Sequence, residues 1–573
     1  MTPAHDAVGG STAPSTAFAA AFLTELARQG VQHVVVSPGS RSQALALAAA
    51  DLESLGRIRL HVRIDERVGG FLALGLAVES GAPVAVITTS GTAVANLHPA
   101  ALEAHHQGVP LVLLTGDRPE ELRGVGANQT TTQPGIFAGA VESWDIPAPE
   151  GGAGEIDEAR RLAATATATA RGDDGGSPRP VHVNLALREP LSSPDARSVI
   201  ERVLALPEIE ARPSVVTHLT VTAELEPADG TVVVAGAGAG PRAEALARAL
   251  GAPLIAEVGS GARFGPNLVV GFRALLREPD VFAVRRAIVV GRPTLSREVA
   301  ALVADDGVET IGVRGAGAED FDPGRRMSRI VDEAVVLEPV DERDPAVRGR
   351  VGRWVAASRI AIGTGEDVAP DPEESAGQHA RSELAAVRAP ISRRTLVEAV
   401  WRATWPHDRL VLGASRLIRE LDGAVPGKRV SVHSNRGLAG IDGTIATAVG
   451  IAQASQFPLN DDAAATGTTR VLLGDLALLH DVGALALAPG EPRPRIQVIV
   501  GDDGGGSIFD LLEVARQPGP AFERVMRTAQ PVDIGALAAA FGWAHLRVDT
   551  RGALDQALTA TAGPTLIEVP LPR

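Results

Sequence analysis

VLLGDLALLHDVGALALAPGEPRPRIQVIVGDDGGGSIF, residues Val471–Phe509, contains two short apolar runs that each end in an acidic turn. The first closes in Gly474-Asp475-Leu476. The second closes in Asp502-Asp503-Gly504-Gly505-Gly506, with Asp502 27 residues after Asp475. Two such runs separated by a helical stretch read as a βαβ unit, which sets both turns at the carboxyl edge of a parallel sheet. Ligands bind at that edge. Carboxylate oxygens beside closely approachable glycine backbone suit Mg2+ bridging a diphosphate. Two helix-capping acidic turns would give the same pattern with no ligand at all.

Working outward, the same alternation recurs. A helix is expected at Ser15–Gln29 and a strand at Val31–Val36 that ends in Ser37-Pro38-Gly39-Ser40-Arg41-Ser42. A helix follows at Arg67–Glu79, then strands at Val84–Thr89, Leu111–Thr115 and Val181–Leu187. A middle region starting near Pro213 has strands at Thr231–Ala235, Pro253–Val258 and Ala287–Gly291, and fades into a Gly363–Ala389 stretch that reads as a linker. The last region has a helix at Arg393–Ala403. Its strands are expected at Arg409–Gly413, Val430–His433, Val471–Gly474, Ile496–Val500 and Thr565–Val569, with a polar loop at Leu459–Thr469. The fold class is therefore α/β, with three doubly wound parallel-sheet domains over residues 1–200, 201–365 and 385–573.

Composition narrows the function. Hydrophobic content of 45% and charge of 21% are those of a folded globular chain. A formal net charge of -15 without a basic run argues against nucleic acid or an anionic membrane as partner. The absence of cysteine excludes disulfides and thiolate chemistry. No secretory leader and no bilayer-length apolar stretch is visible, so a cytoplasmic protein is expected. An anionic substrate would meet a repulsive overall field, so its site needs fixed cations. Lys428 is the only lysine, so those cations would be arginines.

The Gly474-Asp475 turn, the spacer and the acidic glycine turn together resemble the cofactor motif of thiamine diphosphate-dependent enzymes. Leu476 stands where that motif usually has glycine, and Asp502-Asp503 replace its paired asparagines. The resemblance makes Gly474, Asp475, Leu476, Asp502, Gly504 and Gly505 cofactor-binding residues, with Asp475 a metal ligand. Counting forward from Asp475 favours Asp502 as second ligand and the Gly504 carbonyl as third. Counting back from Ile508-Phe509 selects Asp503. Arg63-Ile64-Asp65-Glu66-Arg67-Val68-Gly69-Gly70 resembles the family's second motif and makes Glu66 the catalytic acid that bonds N1′ of the aminopyrimidine. Read without the resemblance, Asp65-Glu66 is an acidic pair favoured by a helix start.

Further segments point to one branch, the 2-succinyl-5-enolpyruvyl-6-hydroxy-3-cyclohexene-1-carboxylate synthase family. They are Ser37–Ser42, Gly116–Glu120, Gly126–Gln129, Gly413–Arg419, Ser434–Gly437, Gly440–Gly443 and Ile508–Leu512. The outer regions carry this resemblance, and the middle one matches only loosely. It implies three domains: pyrimidine-binding, central Rossmann-like and diphosphate-binding. It also implies Mg2+, replaceable by Mn2+, and decarboxylation of 2-oxoglutarate with addition of its succinyl-semialdehyde fragment to isochorismate, in menaquinone biosynthesis. Both substrates are dicarboxylates, which planar guanidinium forks suit. Ser40, Arg41, Arg118, Asn128, Gln129, Ser415, Arg419 and Arg436 become substrate-binding candidates, and Ile508, Phe509 and Leu512 pocket walls. Ile441 would support the bent cofactor. The family assembles as homodimers or homotetramers with active sites between subunits. A carboligase of the acetohydroxyacid synthase type on the same scaffold is the alternative.

Three features stay outside this scheme. Val232–Gly240 resembles a dinucleotide-binding turn, and Glu257 lies where a ribose-binding acid would. Ser296-Arg297 is a weak match to a basic pair of the family's middle domain. His105-His106, on an expected helix, lack metal-ligand spacing.

Overall fold

In the computed structural model, residues 12–211, 219–363, 381, 384–459, 467–559 and 562–573 are described, and counts below refer to these. The expected linker and the Leu459–Thr469 loop fall largely outside them, as does Pro213. The chain forms two compact units. The described residues of Met1–Thr217, Phe457–Ala463 and Ala486–Glu491 make one, and the rest make the other.

The first unit is built on a six-stranded parallel sheet. Its strands are β1 (His33–Val36), β2 (Arg59–Val62), β3 (Val84–Thr88), β4 (Leu111–Asp117), β5 (Glu142–Ile146) and β6 (Val181–Ala186). They run in the order β2-β1-β3-β4-β6-β5. Apolar runs buried on both faces, as in β3 and β4, are the signature of a sheet covered by helices on each side. The helix Pro14–Arg28 packs Phe18, Phe22, Leu23 and Leu26 onto one face, against Val34, Val36 and Val112.

The second unit holds two sheets and a two-stranded ribbon. The ribbon pairs β7 (Thr222–Leu225) with β13 (Glu333–Val336). The five-stranded middle sheet has β8 (Thr231–Ala235), β9 (Leu254–Ala256), β10 (Arg286–Val290), β11 (Glu309–Val313) and β12 (Arg329–Val331), ordered β12-β11-β10-β8-β9. The six-stranded last sheet has β14 (Arg409–Leu412), β15 (Ser431–His433), β16 (Thr469–Gly474), β17 (Ile496–Asp502), β18 (Ala544–Arg547) and β19 (Thr565–Pro570), ordered β15-β14-β16-β17-β19-β18. All strand pairs in these sheets are parallel. The α/β expectation is met by three parallel sheets whose strands alternate with helices.

The two six-stranded sheets share one topology. Each sends its second strand outward from the first and then reverses, so a switch point opens between β1 and β3 and between β14 and β16. Residues singled out by the motifs follow these strands: Ser40 and Arg41 in one sheet, Ser415 and Asp475 in the other. The middle sheet has its own switch point between β8 and β10.

Candidate functional site

In the second unit, β16 ends at Gly474 and a helix begins directly at Asp475. Asp475 is buried at 6% exposure. Burial pushes its carboxyl up to about 6; N–H bonds from Leu476 and Gly505 oppose this, while Asp503 and then Asp502 add repulsion. The cleft it faces, about 130 Å³, is lined by Ser415, Ile441, Asp503, Gly505, Ile508 and Phe509 among others. Asp503 lines this cleft, whereas Asp502 accepts from the Gly504 N–H at 3.2 Å. Asp503 is braced through Oδ2, which accepts from Arg393 Nη2 at 2.8 Å and Nε at 3.2 Å and from the Ser507 hydroxyl. Neither Arg393 nor Ser507 was singled out by sequence, because neither type is diagnostic at its position.

The glycines of the turn are needed for close approach. Gly505 has φ +126°, and a Cβ there would lie 2.3 Å from the Arg527 carbonyl oxygen. A Cβ on Gly506 would lie 2.8 Å from the Phe509 ring. The backbone is thus drawn tight around the acid pair, leaving a cradle that a diphosphate and its cation fit. Among the described residues no three His, Cys, Asp or Glu side chains are grouped to hold a metal alone.

Around this cleft, Ser415 caps the helix Arg416–Ala424 by accepting from Leu417 N–H at 3.2 Å. Arg419 is exposed on that helix, and Arg436 follows β15. Ile441 and Leu512 keep 38% and 36% exposure, more than core packing would leave them.

In the first unit, Glu66 opens the helix Glu66–Ser80, half-buried, with Asp65 as its cap accepting from Arg67 N–H at 2.9 Å. The turn before it is held by Glu491, which accepts from Val62 N–H and Arg63 Nη1, both at 2.8 Å. Burial works against ionisation of Glu491, but bonds from His61 and Arg63 prevail and hold its carboxyl at about 2. A Cβ on Gly70 would lie 2.8 Å from the Ala100 Cβ, so Gly70 lets helices meet closely.

Arg41 and Arg118 are buried at 9% and 7% exposure. Arg41 Nη1 donates to the Leu187 carbonyl at 3.0 Å, and Arg118 donates to the Ser90 hydroxyl. Burial, then the charge of Arg41, lowers the pKa of Arg118, so the two cations face one another's field. Gln129 has φ 55° and donates to the Ser90 carbonyl at 2.9 Å. Ser40 and Asn128 are exposed. The cleft of the second unit thus brings together Ser415, Ile441, Asp475, Asp503, Ile508 and Phe509, while Arg419, Arg436 and Leu512 are not among its lining residues; in the first unit Arg118 and Gln129 meet at Ser90.

The dinucleotide-like turn has another use. A Cβ on Gly236 would lie 2.0 Å from Pro293 N, and one on Gly291 2.4 Å from the Ala237 carbonyl oxygen. These glycines let the turns that follow β8 and β10 pack closely against each other. Glu257 is 2% exposed and accepts from Leu295 N–H at 2.6 Å, so it does not serve a ribose. Ser296 caps the helix Arg297–Val303, and Arg297 lies 4.0 Å from Glu513 with both side chains exposed. His105 and His106 lie in the helix His98–Gln107.

Residues 16–137 match the family described as thiamine pyrophosphate enzyme, N-terminal TPP binding domain. The chain is 56% identical to a 2-succinyl-5-enolpyruvyl-6-hydroxy-3-cyclohexene-1-carboxylate synthase of Leifsonia xyli subsp. xyli, over 98% of this chain and 97% of the relative. It is 55% identical to the synthase of that name from Clavibacter michiganensis subsp. michiganensis, over the same shares. Identity to the one from Kineococcus radiotolerans is 44%, over 96% and 94%.

Proposed function

We infer the function from kinship: the chain belongs to the 2-succinyl-5-enolpyruvyl-6-hydroxy-3-cyclohexene-1-carboxylate synthase family, and we propose that it catalyses the reaction of that name. The substrates proposed are 2-oxoglutarate as donor and isochorismate as acceptor, in menaquinone biosynthesis. When bound, thiamine diphosphate supplies the electron sink that lets a 2-oxo acid lose CO₂. The observation that carries the reading is the meeting of Asp475, Asp503 and the Gly505 cradle in one cleft at a sheet switch point.

Each part of the chain has a role in this proposal. Asp475 and Asp503 hold Mg2+, with Mn2+ as a substitute, and a carbonyl of the Gly504-Gly505 turn completes the protein's share. The bonds on Asp503 fall on Oδ2, which makes Oδ1 the oxygen offered to the cation. Asp502 remains close enough to add charge to the same site. Glu66 bonds the pyrimidine ring nitrogen and governs the proton there. Arg41 and Arg118, with Ser40, Asn128 and Gln129, take one set of carboxylates, and Ser415, Arg419 and Arg436 take another. Their charge and fixed direction supply orientation and electrostatic stabilisation. Ile441 supports the cofactor, and Ile508, Phe509 and Leu512 exclude water.

We further propose a cytoplasmic homodimer or homotetramer, which sedimentation of the purified protein would test. No helix among the described residues is long and apolar enough to cross a membrane. The function is tested by following isochorismate with 2-oxoglutarate, Mg2+ and thiamine diphosphate, omitting each in turn. Loss of isochorismate only when all are present, with CO₂ release, supports the reading. Turnover of pyruvate in place of 2-oxoglutarate would point to the acetohydroxyacid synthase type and overturn it.

A further inference from the structure

We propose that the middle-domain dipeptide Thr294-Leu295, clamped by the buried Glu257, directs the guanidinium groups of Arg419 and Arg436 toward the carboxylates of the substrates. The inference rests on the function proposed above and gives the middle domain a role in recognition.

The two arginines come from separate elements, the helix Arg416–Ala424 and the turn after β15. Both reach the same dipeptide. Arg436 Nε lies 3.2 Å from the Thr294 hydroxyl oxygen, which also accepts from Nη2, and Nη2 lies 3.5 Å from the Thr294 carbonyl oxygen. Arg419 Nη1 lies 3.5 Å from the Leu295 carbonyl oxygen. One pair of residues therefore offers its acceptors to both cations. Long side chains lose rotamer freedom when they bind, and a fixed acceptor removes part of that cost beforehand.

The dipeptide is itself held from the other side. Glu257 takes the N–H groups of both Thr294 and Leu295, the latter at 2.6 Å. Leu295, 5% exposed, is buried in the apolar cluster with Leu417, Ile418 and Leu421 of the arginine-bearing helix. A return link closes the circuit, because Val258 N–H donates to Asp422 Oδ1 at 2.6 Å, and Asp422 lies one turn after Arg419. Burial, then the neighbouring Asp422, pushes the pKa of the Glu257 carboxyl up.

The test compares Thr294→Val, Thr294→Ser and Glu257→Met with the wild type. Steady-state KM and kcat for both acids would be measured, alongside calorimetric binding of 2-oxoglutarate and thermal unfolding. Thr294→Val is expected to raise KM for at least one dicarboxylate by about five- to tenfold, the scale of one lost hydrogen bond, with kcat changed less. Thr294→Ser should restore it, which a purely structural role for the methyl-bearing side chain would not produce. Glu257→Met should follow Thr294→Val if it folds, and Thr294→Val carries the test if it does not. Unchanged KM and affinity for both acids in folded Thr294→Val would overturn the inference while leaving the function standing. A wild type that neither binds nor turns over either acid would overturn both.

Discussion

Arg393 Nη2 donates to Asp503 Oδ2 at 2.8 Å, with the Arg393 and Asp503 side chains only 11% and 9% exposed. The protein therefore supplies its own counter-charge where the resembling motif carries a neutral amide. Asp503 can face Asp475 without loading the cleft with two uncompensated anions. Arg393→Gln should weaken Mg2+-dependent binding of thiamine diphosphate, read by calorimetry, and Asp503→Asn in the same chain should recover part of the loss. A coupling of about 0.5–3 kcal/mol is expected for residues in direct contact. Strictly additive effects would show that the pair does not serve the site.

The identity of the second ligand has its own test. Asp503→Asn alone should change the Mg2+ concentration needed for half-maximal cofactor binding more than Asp502→Asn does. The reverse order would return the ligand to Asp502.

Glu66→Gln should leave Mg2+-dependent cofactor binding near wild type while turnover falls by about 10²–10⁴-fold, the range for loss of positioned proton transfer. Turnover close to wild type would remove Glu66 from its role.

Gly505→Ala combines a φ of +126° with a Cβ 2.3 Å from backbone. Gly490→Ala, at φ +87°, meets nothing within 4 Å and bears only the conformational cost, about 1 kcal/mol. Gly505→Ala should cost more in unfolding free energy and also lower cofactor affinity. Equal costs would mean that the Arg527 carbonyl yields.

Stability should fall with acid in the first unit. Burial, then His61, then Arg59 lowers His33 to about 3, so folding keeps it neutral while the unfolded chain takes up a proton near pH ~6.5. The stabilisation is present above the unfolded pKa and is lost as pH falls, by about 2 kcal/mol at pH ~5. His182, lowered by burial to about 4, acts in the same direction. His33→Gln should flatten this part of the unfolding profile, and an unaltered profile would sink the assignment.

Much of the architecture was readable in the chain. The runs Val84–Thr88, Thr231–Ala235 and Ile496–Asp502 are continuous and apolar, so their strands stand out. The strand Glu142–Ile146 does not, because an edge strand with half-exposed side chains carries no apolar run. The same holds for Arg59–Val62 at the opposite edge. The ribbon of Thr222–Leu225 with Glu333–Val336 is invisible locally, since its pairing joins segments far apart in the chain.

The chemistry-bearing motifs were legible for a physical reason. A tight turn after a strand depends on neighbouring residues, and Gly474-Asp475 or Asp65-Glu66 specifies it alone. Three matters depended on distances between elements that no spacing encodes. These were which of Asp502 and Asp503 lines the cleft, what neutralises it, and what Glu257 serves. The sequence determined the fold class, the family motifs and the acids at the sheet edges. Tertiary packing decided the partners of those acids, because burial and a hydrogen bond are properties of two elements brought together and belong to neither alone.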